Sequence, residues 1–389
     1  MNKEPGMVVV GGGPAGCCLA ALAADQGHVI QLLEATPFDA PPSAGMAQRT
    51  LALSHASWDT LAQLGITPSA VHAMPIRSIH VSYRGRPGRV ELRAEDSDAD
   101  RFGATVSYGA LLGALRAQVR HRPLIHVADG CRVERVSGAS SAARTDWRLP
   151  TGAVASRLSA LAVIADGGAL ADDPATLRWR YAQQALACEV HTASPPGDCA
   201  WERFTREGPI ALLPSAHGYA LIWTGPPARI QRLLDLPEPA FLVELQEWFG
   251  DRAGRFLGAT QRIPYPLSGR FALLPARRRV VRIANAAQAM HPVAGQGFNL
   301  GLRDVRALMT VVARHGESDP GGSTALAAYS AARARDRSLT AGMTHLLAGA
   351  FSLPLPGAAW PGSLALLGMD LSPALRRRFA RLMAEGLPA

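Results

Sequence analysis

The stretch Met7-Val8-Val9-Val10-Gly11-Gly12-Gly13-Pro14-Ala15-Gly16-Cys17-Cys18-Leu19-Ala20-Ala21-Leu22-Ala23-Ala24 decides the fold of the amino-terminal part. Its first residues are a short apolar run of the kind a strand buried on both faces carries. The glycines end that run in a tight turn, and an alanine- and leucine-rich segment of helical character follows. Gly27 closes the helix, a second apolar run covers residues 29–33, and Glu34 stands at its end. Strand, helix and strand in this order make one βαβ unit whose turn is Gly11-x-Gly13-x-x-Gly16. The first glycine permits the turn, the second lets a pyrophosphate approach the backbone, and the third lets the helix pack on the strand, whose amino-terminal amides then face the phosphates. Glu34, 18 positions after Gly16, is placed to accept hydrogen bonds from the adenosine ribose hydroxyls. A carboxylate there disfavours a ribose phosphate, so FAD or NAD is expected on this loop and NADP is not.

Outward from this unit, residues 161–165 and 280–284 are further apolar runs that end in turn-rich loops, as parallel strands do. Between them the pattern changes. Residues 79–83 and 89–92, separated by Gly85 to Gly88, read as a hairpin, and residues 186–192, 202–213 and 219–223 alternate like antiparallel strands. From Asn299 onward the pattern is helical over 302–314 and 324–348, with Pro354 and Pro356 interrupting it before a last basic helix. The fold class expected is α/β: a Rossmann-like domain of residues 1–75, 101–175 and 276–345 interleaved with a β-sheet-rich substrate domain of residues 76–100 and 176–275. Residues 346–389 form a helical carboxy-terminal segment. Residues 137–143 are small and polar and read as a surface turn.

The 389 residues are 48% hydrophobic and 18% charged, which suits a folded globular chain with two cores. Apolar stretches break well short of the roughly 20 residues a membrane span needs, and residues 1–7 lack the order of a signal peptide, so a cytoplasmic location is expected. Five cysteines, two of them adjacent, argue against a disulfide framework. The net charge of +9 is carried mostly by arginine, with one local cluster at Arg376, Arg377, Arg378 and Arg381. No metal-ligand spacing and no basic run interleaved with aromatics is present, so neither a metal nor nucleic acid is expected.

A second stretch, Ala284-Asn285-Ala286-Ala287-Gln288-Ala289-Met290-His291-Pro292-Val293-Ala294-Gly295-Gln296-Gly297-Phe298-Asn299-Leu300-Gly301-Leu302-Arg303-Asp304, again places glycines at the start of a helix that follows a buried strand. It resembles the flavin-binding segment of the para-hydroxybenzoate hydroxylase fold. Within that fold the chain is similar to the ubiquinone-biosynthesis FAD-dependent hydroxylases, the 2-polyprenyl-6-methoxyphenol hydroxylase-like family. Residues 49–54, 202–214, 265–267 and the tail from Tyr329 through Arg337 to Thr344 carry the likeness in the same order, so it extends over nearly the whole chain.

The resemblance implies an extended FAD held by Gly11, Gly13, Pro14, Ala15, Gly16 and Glu34 at its adenosine end. It puts Asn285, Pro292, Gly295, Gln296, Gly297, Phe298 and Asn299 at the flavin end. Asp166 and Gly167 stand where the family supports the pyrophosphate and the reductant, and Arg49 where an arginine approaches FAD. Ala284 replaces a glycine, Leu170 and Asp173 replace a serine and an arginine after the Asp-Gly pair, and Ala47 replaces an acid two before Arg49.

By the same resemblance, reduced flavin forms a hydroperoxide with O2 and passes one oxygen to the electron-rich ring of a polyprenylated phenol, with NAD(P)H as electron donor. The protein's own tasks are positioning, exclusion of water and promotion of phenol deprotonation. His291, beside the presumed flavin, is the first candidate for the base, with His217 and Tyr219 behind it. The acidic run through Asp172 and Asp173 leads to an expectation of weak NAD(P)H use by the isolated protein. Membership of a ubiquinone-biosynthesis protein complex and a place peripheral to the inner membrane follow from the resemblance too, with residues 346–367 as candidate mouth for the prenyl tail. Two other readings stay open on the residues alone: a same-fold hydroxylase of a soluble aromatic compound, and a non-catalytic subunit of such a complex.

Overall fold

In the computed structural model, which describes residues 6–97, 99–170, 174–291, 295–315, 319–350 and 360–385, Met7–Val10 lies inside a six-stranded sheet. It pairs in parallel with Ile30–Leu33 on one side and Leu161–Ile164 on the other. Ile125–Ala128 extends the sheet past Ile30–Leu33, and Val280–Arg282 with the antiparallel edge Ala276–Arg277 extends it past Leu161–Ile164. Every residue of the three central strands is buried, which is the physical origin of their unbroken apolar runs. The helix Pro14–Asp25 is buried along eleven of its twelve residues, because Gln296–His315 and Tyr108–Arg120 also pack on that face. A meander of Arg132–Gly138, Ala143–Arg148 and Val154–Ser159 covers the opposite face through Trp147 and Val133. The small polar stretch at 137–143 is the first turn of this meander, with Ala139 and Ala142 closing it.

A second, nine-stranded sheet is built around one long strand, Thr176–Thr192. Ile263–Ala272 and Gly218–Gly225 pair with it in antiparallel fashion, and Pro209–Ser215, Cys199–Phe204, Ser78–Tyr83 and Arg89–Arg93 continue the sheet on the Gly218–Gly225 side. The expected hairpin is present as Ser78–Tyr83 with Arg89–Arg93. Residues 202–213, read from the sequence as one alternating segment, are two strands: Thr205 Oγ1 donates to the Gly208 carbonyl at 2.6 Å and turns the chain between them. The long strand begins ten residues earlier than its alternation suggests, since residues 176–185 carry exposed arginines that mask the period.

One face of this sheet packs Leu186, Leu212, Leu221 and Trp223 against the helices Pro227–Asp235 and Glu238–Phe249. Burying these large side chains contributes about 2 kcal/mol each. The other, inner face is covered at one end by Trp360–Leu371 and Pro373–Glu385, whose Leu366 and Ala380 join Val90 and Leu92 in a small core. At its other end the inner face turns toward the six-stranded sheet.

Candidate active site

At the end of Met7–Val10 the three glycines meet different demands. Gly11 has φ +105, and a Cβ there would lie 2.6 Å from the Ala165 carbonyl oxygen. A Cβ on Gly16 would lie 1.9 Å from the Gly11 carbonyl oxygen, so helix and strand approach as closely as they do only without a side chain. Gly13 is different: a Cβ there would meet nothing closer than Tyr108 Oη at 3.9 Å. Its backbone faces open space in front of the helix amino terminus, where amides and helix dipole favour an anion. Glu34 stands beside this space, accepting the Gly12 amide at 2.5 Å and the Thr36 amide at 3.0 Å.

The second glycine loop faces the same space. Ala284 adopts the left-handed conformation with φ +51, at a cost of about 1 kcal/mol for a residue with a Cβ. It is held there by its amide, which donates to Asp304 Oδ2 at 2.9 Å. Asn285 is exposed next to it. Gly295 has φ +60 and Gly297 has no atom within 4 Å of its Cβ position, so the first turn of the helix Gln296–His315 is open to a ligand at Gly297. Asn299 points elsewhere. Its Oδ1 accepts the Ser54 amide and the Ser57 hydroxyl at 2.9 and 2.7 Å, and its Nδ2 donates to the Ala52 carbonyl, clamping the helix start to Thr50–Ser54.

A single cavity of about 1520 Å³ joins the two loops. Of the residues expected around a cofactor, Gly11, Gly13, Pro14, Ala15, Glu34, Arg49, Asp166, Gly167, Asn285, Gly295, Gly297 and Phe298 line it. Gly16, Gln296 and Asn299 do not line it, and Pro292 lies outside the described residues. Asp166 turns its carboxylate on its own loop, accepting the Gly168 amide at 2.8 Å and the Leu170 amide at 2.6 Å. Asp172 and Asp173 lie outside the described residues, as do residues 351–359 of the segment 346–367. His217 and Tyr219 are not among the lining residues; the Tyr219 hydroxyl accepts from the Gly197 amide instead. Cys17 and Cys18 are buried in the first helix with thiols pushed up to about 12 by desolvation, which makes them packing groups.

Sequence reasoning missed Arg116. It sits on the buried side of Tyr108–Arg120, 4.8 Å above the Phe38 ring, donates to the Ala40 carbonyl and lines the cavity beside the first glycine loop. Its Nε is buried without a hydrogen-bond partner among the described residues. Only its place among the apolar positions of an amphipathic helix marked it in the sequence.

His291 also lines the cavity but is almost wholly buried. Its Nε2 lies 3.1 Å from Gln183 Oε1, and its ring stands edge-on to Tyr181 at 5.0 Å. Desolvation lowers its pKa to about 4, so the ring is neutral at pH 7. The unfolded chain takes up a proton near pH 6.5 that the folded chain refuses until about pH 4. This contribution to stability is therefore complete above pH 6.5 and is lost as the pH falls toward 4. Between pH 6 and 5 we expect it to account for roughly 1.4 kcal/mol of lost stability per pH unit. Denaturant unfolding of the protein and of His291→Gln checks this, and equal slopes in the two would refute it.

Behind the second loop lies a buried ionic network. Asp304 accepts from Arg333 Nε at 2.8 Å and from Gln288 Nε2 at 2.5 Å, Asp336 accepts from Arg333 and Arg303, and Arg337 donates to Gln288 and to the Ala272 carbonyl. It ties Gln296–His315 and Ser323–Ala350 to the turn that carries Asn285.

No family model matches the chain. It is 29% identical over 397 residues to the 3-demethoxyubiquinol 3-hydroxylase of Escherichia coli (strain K12), covering 97% of both chains. It is 30% identical over 391 residues to the ubiquinone hydroxylase UbiL of Rhodospirillum rubrum, covering 98% of this chain and 89% of that one. Among solved structures, the p-nitrophenol 4-monooxygenase PnpA of Pseudomonas putida DLL-E4 matches with a TM-score of 0.75 at 18% identity over the full length of both chains. A probable FAD-dependent monooxygenase of Pseudomonas aeruginosa, pqsL, matches with a TM-score of 0.72 at 19% identity, covering 90% of this chain and 97% of that one.

Proposed function

The chain belongs to the ubiquinone-biosynthesis FAD-dependent hydroxylase family, and on that premise we propose that it hydroxylates the ring of a polyprenylated phenol bound between the second glycine loop and the inner face of the nine-stranded sheet. The observation that carries this reading is the continuity of the cavity. From Gly13 it runs past Asp166 and Asn285 to Ala185, Ala187, Ile222 and Ile263 on the sheet. About 1520 Å³ exceeds the 300–1,000 Å³ of ordinary ligand pockets and leaves room for an extended dinucleotide and a ring together.

The residues present fit FAD: an open Gly13 before a helix, a carboxylate at Glu34, and the cations Arg49 and Arg116 along the wall. Bound FAD would supply the electron store that reacts with dioxygen, which no side chain provides. The chain holds the two ends of that cofactor on two glycine loops, orients the ring against an apolar wall and keeps water from the reacting atoms. Neutral His291, fixed by Gln183, fits a role in shaping the flavin side of the cavity better than that of a strong base.

NAD(P)H as electron donor meets opposed charges at the Asp166 loop, where arginines stand near Asp166 and the sequence runs on into the acidic residues on which the expectation of weak use rests. Arg270 donates to the Gly168 carbonyl at 2.7 Å, and Arg178 and Arg282 stand close enough to act on its charge. At the carboxy-terminal helices, exposed Leu371 and Leu375 beside the basic residues 376–378 supply the apolar and cationic contacts of a peripheral membrane face, from which a prenyl tail would enter. Among the described residues no helix is long and apolar enough to cross a membrane.

The test is direct. Purified protein is expected to carry flavin absorbance and, with a reductant and O2, to convert a prenylated phenol to a product heavier by one oxygen. Retention of flavin with turnover only of soluble phenols would favour the alternative substrate class, and absence of both would refute the reading.

A further inference from the structure

Where it lines the cavity, the inner face of the nine-stranded sheet offers a substrate ring one carboxylate among the described residues. Along Thr176–Thr192, alternate residues Gln183, Ala185, Ala187 and Glu189 turn to that face. Gln183 meets His291, and the other three line the cavity. Ala187 lies between Ile263 and Ile222, and Glu189 lies beside Ala220, which pairs with Leu213. Those four partners also line the cavity and are apolar.

Four carboxylates line the cavity among the described residues. Glu34 and Asp166 are engaged by backbone amides, and Glu134 pairs with Arg148 beside the meander. Glu189 is the fourth. Its Oε1 accepts the Ser215 hydroxyl at 2.6 Å, its amide donates to Thr260 Oγ1 at 2.9 Å, and the Thr260 amide donates back to its carbonyl. Backbone and side chain are both fixed, so the carboxylate is held before a substrate arrives. From Ala185 to Glu189 the strand spans about 13 Å, which is room for one substituted ring between the flavin loop and the carboxylate.

We propose that Glu189, held by Ser215, accepts the hydrogen bond of the substrate's ring hydroxyl and thereby sets which ring carbon faces the flavin side of the cavity. This rests on the hydroxylase reading above. The hydroxyl donates its proton into the Oε···H–O bond, the ring oxygen gains electron density, and the ring is held in one orientation. Among the described residues the other ionisable groups on this stretch of wall are engaged elsewhere: Tyr265, paired with Ala185, donates its hydroxyl to the Gly45 carbonyl at 3.2 Å. Cys188, two residues from Val190 in the opposite-face core, has a thiol pushed up to about 12.

The experiment uses the flavin-loaded protein and two probes, a short-chain 2-prenylphenol and its methyl ether, whose binding is followed by perturbation of the flavin spectrum. A carboxylate acceptor predicts that the phenol binds at least ~10-fold more tightly than the ether. Glu189→Gln, with normal flavin content, is expected to bring that ratio below about 2 and to divert most reducing equivalents to hydrogen peroxide. Ser215→Ala is expected to lower the ratio about 3-fold and serves if the first variant does not fold. Equal binding of phenol and ether by the unmodified protein, or an unchanged ratio in both variants, would overturn the proposal. Selective phenol binding without oxygenated product would sink the hydroxylase reading while supporting Glu189 as the acceptor.

Discussion

Gly13→Asp is expected to give a folded protein that no longer retains flavin. Gly13 is the residue preceding the first helix, with φ −74 and ψ 178, an extended conformation any residue adopts. Aspartate is among the preferred residues at such a position, so the helix gains a cap and loses nothing. Its Cβ also finds open space, as no atom lies nearer than 3.9 Å. The cost falls on the ligand. A carboxylate about 4 Å from a pyrophosphate is opposed by about 4 kcal/mol at a partly screened site, which corresponds to roughly a thousandfold loss of affinity. The flavin-to-protein ratio after gel filtration, measured with the thermal midpoint of the protein stripped of flavin, separates ligand loss from unfolding. A variant that purifies with a full complement of flavin would contradict the assignment of this loop.

Asp304→Ala is expected to lower stability by about 3–5 kcal/mol. Asp304 is completely buried and receives three donors, the Arg333 guanidinium, the Gln288 amide and the Ala284 backbone amide. Removing it leaves Arg333 sharing Asp336 with Arg303, a buried excess of positive charge, and leaves two further donors unsatisfied. Ala284 also loses the bond that holds its left-handed backbone, so the turn that presents Asn285 to the cavity loosens with the core. Urea unfolding gives the size of the loss, and flavin retention at low denaturant reports the loosening. A change under about 1 kcal/mol would mean that the network does not support the loop.

The sequence by itself determined the parts whose geometry is local. Gly11, Gly13 and Gly16 specify a turn because each constraint, a positive φ, an open backbone and a close helix, is met within six residues of chain. The buried parallel strands announce themselves because burial on both faces leaves no polar position to confuse the pattern. Glu34 was legible by its spacing from the loop, and the second glycine loop by its place between a buried strand and a helix.

Only the tertiary structure decided the rest, because its partners are far apart in the chain and carry no shared period. Glu189 and Ser215 meet through two adjacent strand pairings, Arg116 reaches the first loop from a helix some hundred residues later, and Asp304 is matched by Arg333 on the next helix. The clamp that the Asn299 side chain makes to Ala52, Ser54 and Ser57 was likewise not legible, since a buried amide is satisfied by whichever groups the packing brings to it. Local backbone requirements can be written in a few neighbouring residues. Pairing of buried charges and the polarity of a cavity wall depend on which strands and helices become neighbours, and that is fixed by the packing of the whole chain.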